Sequence, residues 1–149
     1  MNRPLYKQGM LAPLQLLRDF KKDGNAVLLG TDTFWQGVDV QGKALSCVII
    51  TRLPFMSPTD PLEEARQEHL ALLGKNAFTA YSLPKAVIKF RQGFGRLIRS
   101  SDDHGAVAIL DPRVRTKFYG PAFLYSIPKC AKISSIEELG DFFNAAEKT

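Results

Sequence analysis

Thiols and imidazoles are scarce in this chain, with two cysteines and two histidines among 149 residues. Two thiols cannot hold an iron–sulfur cluster, which takes four thiolates. Cys47, on an expected strand, and Cys130, in an expected loop, read as reduced thiols. His69 and His104 have no partner at metal-ligand spacing and read as surface residues, so no metal site is expected. No apolar run approaches the roughly 18 residues that a membrane helix needs. Prolines and charges interrupt residues 1–24, which excludes a signal peptide there. The expectation is a soluble, cytoplasmic chain without membrane contact. Internal repeats and low-complexity tracts are absent as well. Two glycine patterns lack what would make them functional. Gly37-Val38-Asp39-Val40-Gln41-Gly42-Lys43 has phosphate-loop spacing, but Ala44 stands where a Ser or Thr would reach magnesium. A strand-like segment follows it, whereas a phosphate loop precedes a helix whose N-terminus receives the phosphates. Gly93-Phe94-Gly95 lacks the third glycine of a dinucleotide fingerprint and does not leave a strand.

What is present describes an ordinary folded domain. A hydrophobic share of 45% with 23% charged residues is usual globular composition, and the length suits one domain with a real core. A net charge of +5 is permissive for a polyanionic partner without demonstrating one.

Hydrophobic periodicity orders the elements. Met10 to Lys22 is an amphipathic helix ended near Asp23-Gly24, and Ala26 to Thr31 is a short buried strand. Phe34 and Trp35, in the loop beyond, are core anchors in preference to nucleic-acid contacts. Leu45 to Thr51 is a second strand whose continuous apolar character suits a sheet covered on both faces. The proline-rich Arg52–Pro61 segment is a loop, and Leu62 to Leu73 a charged helix. Ser82 and Pro84 read as cap and first turn of the next helix. Ala106 to Leu110 is a third strand, ended by Asp111-Pro112, and Tyr119 to Ser126 a short helix. Ser134 or Ser135, three residues before Glu137 or Glu138, caps a final helix to about Ala146. Strands alternating with helices predict an α/β fold with a parallel sheet.

The run Arg91-Gln92-Gly93-Phe94-Gly95-Arg96-Leu97-Ile98-Arg99 carries the chemistry. At about 100° per residue, Lys85, Lys89, Gln92, Arg96 and Arg99 form one polar stripe, with Leu83, Val87, Phe90, Phe94 and Leu97 opposite. Such a face suits a triphosphate; the alternative is an ordinary solvated basic face. Two glycines in a helix each cost on the order of 1 kcal/mol relative to alanine. A close approach of backbone, neighbour or ligand would offset that cost. Upstream, Thr31, Asp32, Thr33 and Asp39 cluster at a strand's carboxyl end, the edge where open α/β sheets bind ligands.

The pattern Thr-Asp-x-x-x-Gln-Gly-x-Asp from Thr31 to Asp39, followed by Gln-x-x-Gly-Arg-x-x-Arg from Gln92 to Arg99, resembles motifs V and VI of superfamily 2 helicases. More narrowly, Phe34 to Asp39, Arg52-Leu53-Pro54-Phe55, Tyr81-Ser82-Leu83-Pro84 and Gln92 to Ser100 resemble DinG/XPD-type segments in that family's order. The resemblance covers roughly residues 5 to 128. It implies the second RecA-like domain of an ATP-dependent DNA helicase, a parallel sheet flanked by helices that lacks its first strand here. Residues 52–82 would be a loop-helix excursion within that domain and 130–149 a tail helix.

By the same resemblance, Arg96 and Arg99 are arginine fingers on the phosphates of ATP, and Gln92 couples hydrolysis to movement. Gly37 allows close backbone approach, and Asp39 contacts the ribose or positions the fingers. Thr31 and Thr33 contact a single DNA strand. ATP with Mg2+ would be held mainly by a first RecA-like motor domain, because neither a working phosphate loop nor an Asp-Glu-x-His box is present. This chain alone is therefore expected to be inactive. The iron–sulfur cluster of many XPD-like relatives would belong to that first domain, and an exposed sheet edge would favour a homodimer of the fragment. The competing class is a truncated module that binds nucleic acid or a partner without catalysis.

Overall fold

The structure, a computed structural model, describes residues 3–31, 45–57, 60–97, 104–133 and 135–146. Thr33, Phe34, Trp35, Gly37, Asp39 and the glycine loop up to Ala44 lie outside the described residues, as do Arg99 and Ser134. The chain divides into two compact units, one of Met1–Ile49, Gly93–Ala108 and Lys129–Thr149, the other of Ile50–Gln92 and Ile109–Pro128.

In the first unit, strand β1 (Leu5–Lys7) pairs in parallel with β2 (Val27–Leu29), Leu5 opposite Val27 and Lys7 opposite Leu29. Helix α1 (Pro13–Asp23) makes the crossover. It starts three residues later than expected, because proline has its φ preset and no amide to leave unsatisfied in the first turn. Residues before it form a tight turn instead, with the Met10 amide donating to the Lys7 carbonyl at 3.0 Å. Gly24 closes the helix at φ 66°, a left-handed conformation suited to glycine. Leu16, Leu17 and Phe20 recur at helical spacing and form a buried cluster with Tyr6, Ala26, Leu28 and Leu45 packed against it. The Tyr6 hydroxyl donates to Asp23 at 2.7 Å, tying β1 to the end of α1, and that bond raises the phenol's pKa.

Two expectations about strands are corrected. The Ala26–Thr31 segment is not buried throughout: Val27 and Leu29 are 40% and 47% exposed, and it is the intervening Leu28 that meets the helix. The pleat alternates, and α1 packs against the Leu28 side. Likewise β3 (Cys47–Ile50) buries Ile50 while leaving Ile49 60% exposed, so it is not covered on both faces along its length. β3 pairs with β4 (Ala106–Ile109). The Ala106 amide donates to Ser46 and the Leu110 amide to Ile50; equal steps along both strands make this a parallel pair. Close approach fixes Gly105, where a Cβ would lie 2.7 Å from the Ser46 carbonyl oxygen and 2.6 Å from a Leu97 methyl.

The second unit is built around aromatic rings. Helix α2 (Pro61–Leu72) is capped by Asp60, whose carboxylate accepts the Leu62 and Glu63 amides at 3.0 and 3.3 Å. A π-helical turn over Phe78–Ser82 then runs directly into α3 (Leu83–Phe94). Ser82 is therefore not the helix cap. Asn76 takes that part, accepting the Thr79 amide at 3.1 Å. A widened turn ahead of Pro84 relieves the clash that its ring would make with the carbonyl one turn back. Short helices α4 (Arg113–Thr116) and α5 (Gly120–Tyr125) follow β4; α4 was not foreseen in the sequence. Phe90 of α3 and Phe123 of α5 are fully buried and meet edge to face at 5.3 Å. Phe55 meets Phe123 in the same way at 5.7 Å.

The last helix, α6 (Ile136–Ala146), belongs to the first unit. Its cap is Ser135, whose hydroxyl accepts the Glu138 amide at 3.1 Å.

Candidate functional site

Helix α3 ends at Phe94, two residues before Arg96. Beyond it the backbone tightens into a turn, the Arg96 amide donating to Gly93 and the Leu97 amide to Phe94. Phe94 and Leu97 are buried, which anchors this turn on both sides of Arg96. The continuous helical stripe from Lys85 to Arg99 is thus corrected. Gln92 is exposed on the last turn of α3, and Arg96 is half-buried on a turn of its own. Gly95 offers the physical reason, since glycine has low helix propensity and follows the last helical residue.

Lys85 and Lys89 are also engaged differently from the expected stripe. Lys85 forms an ion pair with Glu63, which is only 3% exposed. Tyr81 donates to the same Glu63 oxygen at 3.0 Å, while Arg66 and Lys85 donate to the Tyr81 hydroxyl at 2.6 and 3.0 Å. Lys85 holds the Glu63 carboxyl below its usual range, and Glu63 raises the lysine in return. Both cations lie over the Tyr81 ring, at 5.6 Å for Arg66 and 5.2 Å for Lys85. Lys89 reaches Met56 Sδ at 2.8 Å. Lys85 is accordingly part of the packing between α2 and α3, a role that the stripe pattern did not reveal.

At the carboxyl end of β2, Thr31 is exposed and fastened to Gln8, which follows β1. The Thr31 amide and hydroxyl both donate to Gln8 Oε1, at 2.8 and 3.1 Å. The Gln8 amide in turn donates to the Leu29 carbonyl at 2.9 Å. The structure therefore defines the carboxyl edge of this parallel pair, the edge that favours ligands in α/β sheets.

The second unit has a corresponding edge. Beyond β3 and β4, Thr51, Arg52, Asp111, Pro112 and Arg113 line a cavity of about 410 Å³. Asp111 is buried and fully engaged, accepting the Leu53 amide at 2.8 Å, the Arg113 amide at 3.0 Å and the Arg113 guanidinium at 2.6 Å. The Arg113 side chain holds this carboxyl well below the usual carboxylate range. Asp111-Pro112 reads in the sequence only as the end of a strand; the arginine two residues after the aspartate was the available signal. Among the described residues, no cluster of His, Cys, Asp and Glu is placed to hold a metal ion, and no helix is long and apolar enough to cross a membrane.

The family described as the helicase C-terminal domain matches residues 2–130. The chain is 47% identical over 136 residues to the ATP-dependent DNA helicase YoaA of Escherichia coli, an alignment covering 91% of this chain and 21% of that protein. Over 130 residues it is also 47% identical to the Bacillus subtilis protein named 3'-5' exonuclease DinG, covering 87% of this chain and 14% of that one. Identity to the ATP-dependent helicase DinG of Mycobacterium tuberculosis is 41% over 128 residues, or 86% of this chain and 19% of the relative. The chain thus spans about a fifth or less of the length of these relatives.

Proposed function

This chain belongs to the helicase C-terminal domain family, in its DinG-like branch, with a RecA-like α/β fold, and from that premise we propose that it is the C-terminal part of an ATP-dependent DNA helicase. In this reading a first RecA-like motor domain holds ATP and Mg2+. The present chain contributes Arg96 and Arg99 as arginine fingers and part of the track for a single DNA strand.

The observation that carries the reading is the run Gln92 to Arg99 within the matched region, together with its local backbone. Arg96 follows the end of α3 on a turn anchored by Phe94 and Leu97. A guanidinium always carries its charge and presents a rigid fork of donors. Placed against a γ-phosphoryl group, it offsets the negative charge that spreads over the equatorial oxygens during transfer. Because Phe94 and Leu97 pack the turn, its backbone would need little reorganisation for that contact, which is one source of electrostatic preorganisation. Gln92 is assigned to coupling hydrolysis with movement, Gly37 and Asp39 to the nucleotide side of the cleft, and Thr31 and Thr33 to the single strand. The tether from Thr31 to Gln8 gives the strand-facing edge a fixed backbone. Residues 52–82 are an excursion within the domain and 130–149 its tail.

Relatives named for helicase and for exonuclease activity share this region. The test is direct. Joined to a DinG-type first motor domain, the chain should support ATP hydrolysis stimulated by single-stranded DNA. Hydrolysis that neither requires nor responds to this chain would assign it instead to a non-catalytic binding module.

A further inference from the structure

The cavity at the carboxyl ends of β3 and β4 is separate in sequence from the residues assigned above, and its charge is unbalanced. Asp111 compensates one arginine only. Its two oxygens accept the Leu53 amide, the Arg113 amide and the Arg113 guanidinium, so little of its charge faces the cavity. Arg52 is exposed on the same wall. Among the described residues, its guanidinium has no carboxylate within ion-pair distance. Thr51 adds an exposed hydroxyl beside it. Arg113 is braced as well as charged: its guanidinium lies 5.6 Å from the centre of the Phe55 ring while it grips Asp111. One exposed guanidinium without a carboxylate partner among the described residues, one guanidinium held by Asp111 and a hydroxyl therefore line a concave edge of parallel strands.

We propose that this cavity binds a phosphodiester group of the single DNA strand, with Arg52 as the principal contact and charge, Arg113, already paired with Asp111, as a fixed second hydrogen-bond donor, and Thr51 as a third donor. The proposal rests on the helicase reading and adds to it a phosphate contact made by residues of the second unit. Phosphate contacts by arginine are insensitive to base sequence and register mainly in affinity and its salt dependence. Asp111 holds Arg113 in place and contributes no contact of its own to the strand.

The measurement is fluorescence anisotropy of a labelled oligo-dT titrated with the 149-residue chain across a salt series, for wild type, Arg52→Ala, Arg52→Lys and Arg115→Ala. Arg115 is another exposed arginine, on α4 and outside the cavity, so its loss controls for net charge. Arg52→Ala is expected to weaken binding about tenfold. The slope of log K against log salt should become shallower by about 0.7, as for one lost contact to a single strand. Arg52→Lys should restore part of the affinity, and Arg115→Ala should match wild type. Circular dichroism melts of each variant keep folding apart from binding. Wild-type binding unchanged in Arg52→Ala would overturn the site and leave the helicase reading intact. Loss confined to a fluorescent ATP analogue, with oligo-dT unaffected, would reassign the cavity to a mononucleotide. Absence of strand binding by folded wild type would overturn both the site and the strand track on which it rests.

Discussion

Glu63 of α2 and Lys85 of α3 form an ion pair in which the carboxylate is 3% exposed and the ammonium 31%. The pair joins two helices through groups that a sequence pattern assigns to solvent. Tyr81 completes it by donating to Glu63 and accepting from Lys85 and Arg66.

Removing the lysine leaves a buried carboxylate with one remaining donor. Lys85→Met should cost about 1–3 kcal/mol of stability, discounted toward the lower end because the ammonium is partly exposed. The double variant Lys85→Met with Glu63→Leu should recover much of that loss, since replacing both members with apolar groups is often nearly neutral. Chemical denaturation of the three proteins checks this, and equal instability of single and double variants would contradict the pairing.

The same carboxylate predicts a pH dependence. Glu63 and Asp111 both have folded pKa values lowered by cationic partners, Lys85 and Arg113 respectively. A lowered folded pKa means that the unfolded chain binds the proton more readily. The stabilisation is therefore fully present above the unfolded carboxylate range of about 4 and is lost as pH falls below it. Thermal melts between pH 6 and 3 should show wild type losing stability more steeply than Glu63→Gln. Parallel curves for the two proteins would contradict the assignment.

Gly120 opens α5 where no side chain fits. A Cβ there would sit 2.1 Å from the Val114 carbonyl oxygen, a backbone atom that cannot move aside cheaply. Gly120→Ala should lower the melting temperature clearly. Gly140→Ala, where nothing lies within 4 Å of the added Cβ, should preserve or raise it through helix propensity. Calorimetry of the two variants decides whether close approach of α4 and α5 fixes this glycine.

Much of the fold was legible in the sequence because periodicity and capping agree with packing. Leu16, Leu17 and Phe20 mark one face of α1, Gly24 ends it, and Ser135 caps α6. β1 was not legible, since Leu-Tyr-Lys is too short for a period and acquires its meaning only from pairing with Val27 to Leu29. The aligned stripe on α3 failed for two physical reasons. Helical spacing cannot report that the helix stops at Phe94, and it cannot report that Lys85 has a buried partner from another helix. The Asp111–Arg113 wall was missed because its geometry depends on Leu53, a residue far away in the chain.

Nucleotide chemistry offers a further check. The isolated chain should show no measurable magnesium-dependent ATP hydrolysis, because Ala44 stands where a phosphate loop needs a hydroxyl and the segment after it contains strand β3. A robust rate from pure protein would show that the Gly37–Ala44 loop holds nucleotide after all.

The central claim is that Arg96 and Arg99 act on the phosphates of ATP held by a first motor domain. Its most direct test is single-turnover hydrolysis by the joined protein, with single-stranded DNA and saturating ATP, for wild type, Arg96→Ala and Arg99→Ala. The account predicts that at least one substitution lowers the chemical step about a thousandfold while circular dichroism and strand binding stay at wild-type levels. A chemical step unchanged in both variants would contradict it.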